Sequence, residues 1–331
     1  MFDASIKGHA AIRRNLLERL RDGKLPGAML LTGPDGIGKR RVAMELAQRE
    51  LCFRRDACGK CGGCAPFRQE PPPAELPNLL RIAPEGKAGL IRVTVIREDD
   101  LVEGGVIRWA HQAPPPGCHR WILVEDAHRL NGASANMLLK TLEEPPPGTH
   151  FLLVTHRPEA TLQTIRSRCE RLGFSPLEDE DAWAVAVEAG WGPEDRDRWT
   201  ALSAGTLRYL EPPAFARAVE QLEAWLALAD GGTFADAGKA LLPEKNAAAA
   251  QSEQMAQCLE LLLLVLADVA RLREGKALRL APWRSRLEAV AGSELQPRKV
   301  MDLVFGALRH LARNPFAESL LREVGLMLKP T

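Results

Sequence analysis

Gly33-Pro34-Asp35-Gly36-Ile37-Gly38-Lys39-Arg40 follows an apolar run, Ala28-Met29-Leu30-Leu31, and precedes a helical pattern, Val42-Ala43-Met44-Glu45-Leu46-Ala47. Strand, glycine-rich turn and helix are the setting that a phosphate-binding loop requires. Gly33, Gly36 and Gly38 let backbone N–H groups close around phosphate oxygens, and the helix N-terminus adds partial positive charge. Lys39 is expected to reach the terminal phosphates. The motif next calls for Ser or Thr to hold Mg²⁺, and Arg40 stands there instead. The loop therefore has its frame and lacks one chemical part.

Downstream, Trp121-Ile122-Leu123-Val124-Glu125-Asp126-Ala127-His128 reads as a strand buried on both faces, with two carboxylates at its C-terminal end. Open α/β sheets bind ligands at that end. In a phosphate-loop ATPase the first acid orients Mg²⁺ and the second polarises the attacking water. The usual order is Asp then Glu; here Glu125 precedes Asp126. A helix is expected over Ala133 to Glu144, stopped by Pro145-Pro146-Pro147-Gly148, and a third buried strand over His150 to Thr155. Three such strands around one phosphate loop define an α/β nucleotide-binding core.

Upstream, Ile12, Leu16, Leu17 and Leu20 share one helical face, which leaves Arg13, Arg14, Glu18, Arg19 and Arg21 expected in solvent. His9 is expected at the surface or as a helix cap. Residues 65–89 are proline-rich and read as irregular. Ile91 to Arg97 reads as a strand entering a helix, and Pro114 to Gly117 as a loop.

Four of the seven cysteines cluster as C-x5-C-x2-C-x2-C: Cys52, Cys58, Cys61 and Cys64. Glycines between them permit tight turns, and the spacing suits a structural tetrahedral Zn²⁺ site with no open position. Redox or iron–sulfur chemistry is the alternative use of such a set. Cys118, Cys169 and Cys258 are scattered and read as small buried hydrophobes.

The 331 residues are enough for two or three domains, and 46% hydrophobic with 26% charged content describes a globular chain. A net charge of +1 removes any global drive toward nucleic acid or an anionic membrane, so DNA contact needs a local patch. The longest apolar run, Leu261 to Ala267, is too short to span a bilayer and reads as a buried helix. The N-terminus carries no apolar signal core, and a cytoplasmic location is expected. Beyond Pro176 strand patterns vanish. Trp183, Val185, Val187, Trp191 and Trp199 mark helices, Gly205-Thr206-Leu207-Arg208 opens or ends one, and Gly231 to Thr233 and Pro243 to Ala250 read as linkers. Helices are expected over Met255–Leu272, Trp283–Ala291, Pro297–Ala312 and Phe316–Met327.

Gly33 to Lys39, the four-cysteine insert, Leu139-Lys140-Thr141-Leu142-Glu143-Glu144-Pro145 and Ser167-Arg168-Cys169 stand in one order. In that order they resemble the ATPase-fold clamp-loader subunits of the bacterial replicative DNA polymerase holoenzyme, and among these the delta-prime type. The likeness is firm over residues 6–176 and moderate to about 210. Farther on it rests on length, helicity and an Asn314-Pro315 pair. The resemblance implies an AAA+ module: an α/β phosphate-loop core with a parallel sheet (1–176, zinc insert at 52–64), a helical lid (177–235) and an all-α collar that oligomerises (236–331). It implies Gly33, Gly36, Gly38 and Lys39 as the phosphate loop, Arg40 and Glu125 at the metal position and Asp126 at the water-activating one. Thr155 stands as a sensor of the terminal phosphate, Arg208 as the lid arginine, and Arg168 as an arginine finger offered to a neighbour.

The implied partners are the delta and gamma/tau subunits of a hetero-pentamer, the sliding clamp, and primed DNA in the assembled complex; no membrane is involved. The implied ligands are structural Zn²⁺, and ATP or ADP without a productive Mg²⁺ site. Arg40, the inverted Glu125-Asp126 pair, and Gly27 where such subunits often carry histidine depart from the family pattern. The first two imply weak or absent hydrolysis by this chain. Two other readings are an ATP-hydrolysing gamma/tau-type motor, against which the lack of a long extra C-terminal region also speaks, and an unrelated zinc-bearing phosphate-loop kinase or nucleotidase.

Overall fold

A computed structural model describes residues 6–69, 71–85, 89–91, 105–243, 248–311 and 317–328. The chain divides into two compact units, Met1–Ala184 and Val185–Thr331.

In the first unit, α1 (Ala10–Arg21) leads into β1 (Ala28–Thr32), the phosphate loop and α2 (Lys39–Leu51). A 3₁₀ helix (Gly62–Arg68), β2 (Glu75–Leu76), β3 (Leu79–Ile82), α3 (Gly105–His111) and β4 (Arg120–Val124) follow. Then come α4 (Gly132–Glu143), β5 (Thr149–Thr155), α5 (Gln163–Arg166) and β6 (Glu170–Gly173). The strands join in the order β2-β3-β4-β5-β1-β6, parallel throughout except for the β2–β3 pair. β5 therefore separates the loop-bearing strand from the acidic one.

Every residue of β1, β4 and β5 is buried. Their side chains alternate between two cores, as the period of a strand requires. Ala28, Leu30, Ile122, Val124, Phe151 and Leu153 pack with α3 and α4. Met29, Leu31, Trp121, Leu123, Leu152 and Val154 pack with α1 and α2. Helices on both faces explain why these strands are continuous apolar runs.

Two sequence expectations change in this unit and a third lies largely outside the described residues. Residues 65–89 are not irregular throughout: they hold most of the 3₁₀ helix, β2 and β3, and Leu79-Leu80-Arg81-Ile82 is a strand interior to the sheet. The expected strand at Ile91–Arg97 lies almost wholly outside the described residues; Ile91 itself makes a parallel bridge to Leu130. Arg13 is buried rather than solvated, and pairs with Glu45 of α2.

The chain leaves this unit through α6 (Asp179–Glu188). The second unit is helical: α7 (Arg196–Ser203), α8 (Pro212–Ala229), α9 (Phe234–Leu241), α10 (Ala248–Arg273), α11 (Arg284–Ala291), α12 (Pro297–His310) and α13 (Ala317–Leu328). α10 packs against α8, α11, α12 and α13. Its Met255, Leu259, Leu262, Val265, Leu266 and Val269 are all but fully enclosed, so the apolar run read from sequence is the buried helix at the centre. α10 starts within the stretch expected to be linker. Gly205–Arg208 lies between helices, after Ala204 closes α7 in the left-handed conformation. The Asn314-Pro315 pair lies outside the described residues. No helix among the described residues is long and apolar enough to cross a membrane.

Candidate functional site

The C-terminal ends of β1, β4 and β5 converge on one edge of the sheet. Thr32 of β1 is in register with Thr155 of β5, and Leu153 with Val124 of β4. The phosphate loop leaves β1 with Gly33 at φ 145°, Gly36 at 71° and Gly38 at 90°. Gly33 could carry no side chain: a Cβ there would fall 2.4 Å from the Phe174 carbonyl oxygen. Lys39 is buried and folds back on its own loop, donating to the carbonyls of Gly33 at 2.9 Å and of Pro34.

Arg40 reaches across to the acidic strand. Its Nη1 lies 3.5 Å from Glu125 Oε2, while Arg81 Nε donates to Glu125 Oε1 at 2.7 Å. Glu125 thus sits between two guanidinium groups. Arg81 is the tighter and more buried partner, at 8% exposure against 34% for Arg40. Sequence reading missed Arg81 because its strand was hidden among prolines. The available signal was an arginine inside Leu-Leu-Arg-Ile.

Asp126 occupies the left-handed region at φ 49°. Its Oδ1 lies 3.4 Å from His156 Nδ1 and its Oδ2 3.7 Å from Arg129 Nε. Burial favours the neutral carboxyl, but the His156 hydrogen bond and the surrounding cationic groups hold its pKa below the usual value. His128 Nδ1 lies 3.1 Å from Thr155 Oγ1, which also accepts from the Arg157 amide at 3.0 Å. Thr155 is fully buried, so the proposed sensor hydroxyl is part of a local network. Burial, with His156 next in weight, pushes the His128 imidazole down to about 3.

His9 is neither a free surface group nor a side-chain cap of α1. Its Nε2 lies 2.7 Å from the Ile37 carbonyl, and its ring meets Phe174 edge-on at 4.9 Å. It buttresses the phosphate loop from a residue 28 positions upstream, a contact that sequence pattern does not reveal.

The four clustered cysteines come together. Cys52 caps the C-terminus of α2, Cys61 precedes the 3₁₀ helix and Cys64 lies within it. One sulfur from each lies within 4.8 Å of the others. The Cys52–Cys61 Sγ separation is 3.9 Å, close to the about 3.8 Å spacing of two thiolates on one tetrahedral ion with 2.3 Å bonds. A backbone hydrogen bond at Phe53 draws the Cys61 thiol down to about 6, while burial pushes Cys64 up to about 12. Gly63 is required by close approach, since a Cβ would fall 1.9 Å from the Leu51 carbonyl oxygen. Of the scattered cysteines, Cys169 and Cys258 are buried and Cys118 is half-buried.

Arg168 stands apart from the loop. It follows α5, and its Nε donates to Glu143 Oε1 at 2.6 Å while Nη1 donates to the Thr164 carbonyl. Glu143 is half exposed, so this is a surface pair. Arg208 belongs to the second unit and pairs with Glu260 of α10.

The profile of the family described as "DNA polymerase III, delta subunit" matches residues 8–178, just over half of the chain. The chain belongs to this family. Its matched segment holds the phosphate loop, the cysteine cluster, Glu125-Asp126 and Arg168. The chain is 42% identical over 142 residues to the DNA polymerase III subunit delta' of Pseudomonas aeruginosa, covering 43% of this chain and 41% of the relative. It is 31% identical over 170 residues to subunit delta' of Escherichia coli K12, covering 50% and 48%. It is 30% identical over 180 residues to subunit gamma/tau of Mycobacterium bovis, covering 53% and 28%. The matches thus span less than half the length of each relative.

Proposed function

We propose that this chain is a delta-prime-type clamp-loader subunit that assembles with delta and gamma/tau subunits in a hetero-pentamer. In that assembly it supplies Arg168 to a neighbour's ATP site while the sliding clamp is loaded onto primed DNA. Its own hydrolysis is weak or absent. Residues 177–235 serve as lid and 236–331 as collar, and the protein works in the cytoplasm.

The observation that carries this reading is the Arg40–Glu125–Arg81 arrangement. A phosphate-loop ATPase needs a hydroxyl and an acid to hold Mg²⁺. Here a cation replaces the hydroxyl and two guanidinium groups engage the acid. A guanidinium has no lone pair for a metal. The glycine frame and Lys39 remain, so ATP or ADP is held without productive Mg²⁺. Asp126 is engaged by His156 and Arg129, contacts that compete with polarising an attacking water. The surface pair that holds Arg168 is the kind worth about 1 kcal/mol or less, so a neighbour's phosphate readily takes the guanidinium over. The four cysteines hold a structural Zn²⁺, supported by the sulfur spacing and the closed donor set.

Mg²⁺-ATP affinity and turnover of the wild type beside Arg40→Thr test the central part. The wild type is expected to show negligible turnover and affinity indifferent to Mg²⁺. Arg40→Thr should gain Mg²⁺-dependent affinity of about tenfold or more, the scale of one recovered metal–phosphate interaction. Robust wild-type turnover would overturn the reading.

A further inference from the structure

Where Asp126, His128 and His156 meet, one side-chain donor atom from each lies within 4.8 Å of the other two. These residues come from the segments that follow β4 and β5, so the cluster sits at the C-terminal edge of the sheet. Two imidazoles and one carboxylate form a donor set suited to a late first-row divalent ion.

Three observations support that use. Asp126 Oδ1 and His156 Nδ1 are 3.4 Å apart, against about 3.3 Å for two ligand atoms on one tetrahedral Zn²⁺ with bonds near 2.05 Å. His128 is placed by Thr155 Oγ1 at its Nδ1, while its Nε2 is buried with no hydrogen-bond partner among the described residues. The tautomer that donates Nδ1–H to Thr155 leaves the Nε2 lone pair unengaged, as in metal-bound histidines whose other ring nitrogen donates to a neighbouring oxygen. The rings of His128 and His156 meet edge-on with centroids 4.6 Å apart, so they bring ring nitrogens together without stacking.

We propose that Asp126, His128 and His156 form a second, previously unassigned metal site of the Zn²⁺ class, with three protein ligands and a fourth position open to water. It is separate from the four-cysteine cluster in donor chemistry. It does not depend on whether the chain hydrolyses ATP. An ion there would tie together the segments after β4 and β5.

Metal analysis of the full-length protein tests this directly. After equilibration with micromolar free Zn²⁺ and gel filtration, the wild type is expected to retain about two Zn²⁺ per chain, one per site. His128→Ala, His156→Ala and Asp126→Asn should each drop to about one, with circular dichroism and melting curves verifying the fold. Cys61→Ser should lose the other equivalent and keep the histidine-bound one. Co²⁺ loaded into Cys61→Ser should show tetrahedral d–d absorption without thiolate charge-transfer bands, and His156→Gln should abolish it. A folded Cys61→Ser variant that retains no Zn²⁺ at the same free Zn²⁺, or a wild type whose Zn²⁺ content does not change in His128→Ala and His156→Ala, would overturn the proposal. So would a second equivalent that persists in a folded His128→Ala/His156→Ala double variant.

Discussion

Arg13 is 4% exposed on α1 and donates Nε to Glu45 Oε2 of α2 at 2.7 Å, with Nη1 on the Ile6 carbonyl. Arg49 also engages Glu45 Oε1 at 3.2 Å, so losing Arg13 leaves the carboxylate partly paired, and the cost stays below the about 3–5 kcal/mol of a fully stranded buried charge; two apolar groups of similar size can be neutral. Arg13→Ala is therefore expected to lower the stability of the first unit by about 1.5–3 kcal/mol in urea unfolding, the scale of lost hydrogen bonds to a charged group. Arg13→Met/Glu45→Met should recover most of that loss. An Arg13→Ala variant as stable as wild type would show that the pair adds nothing. Helical periodicity placed Arg13 with the solvent-facing charges because α1 was read alone; the carboxylate that buries it lies 32 residues later. Arg81 was missed because prolines hide its strand, and the carboxylate it meets lies 44 residues later. Arg40, in contrast, was legible outright, because the loop motif fixes what its position must do.

At the level of elements, the longer apolar strands β1, β4 and β5 were readable, whereas the short interior β3, hidden among prolines, and the edge strands were not. β1, β4 and β5 are uninterrupted apolar runs, buried at every position. β6, Glu170-Arg171-Leu172-Gly173, is mostly exposed and carries no apolar alternation; it is a strand because β1 offers it a ladder. The helices of the second unit followed the apolar pattern, and their ends did too, to within about two residues, except at the start of α10. α10 begins at Ala248, inside a stretch whose single proline, polar residues and alanines resemble a linker. Within the candidate site, the cysteine spacing predicted which residues meet. The Asp126–His128–His156 cluster could not be foreseen, since His156 joins it only through the register of β4 with β5.

At the scale of the whole molecule, buried imidazoles make stability depend on pH. Burial is the larger cause holding His9 and His150 below the usual histidine value. The unfolded chain then binds more protons than the folded one, so their contribution is complete above about pH 6.5 and is lost as pH falls from there toward the folded values. Melting temperature is expected to fall between about pH 7 and about pH 5.5 at fixed ionic strength, and His150→Gln, which cannot ionise, should flatten part of that slope. A melting temperature that rises on acidification would contradict this.

In the proposed assembly, a subunit with a cation at its metal position contributes Arg168 to chemistry performed by a neighbour. Steady-state ATPase of the loader reconstituted with Arg168→Ala tests it most directly, with assembly verified by light scattering. A trans arginine is worth on the order of 10³-fold or more in turnover. The account predicts a loss of that order at each ATP site facing this subunit, with the assembly mass unchanged. An intact assembly that hydrolyses ATP at the wild-type rate would contradict it.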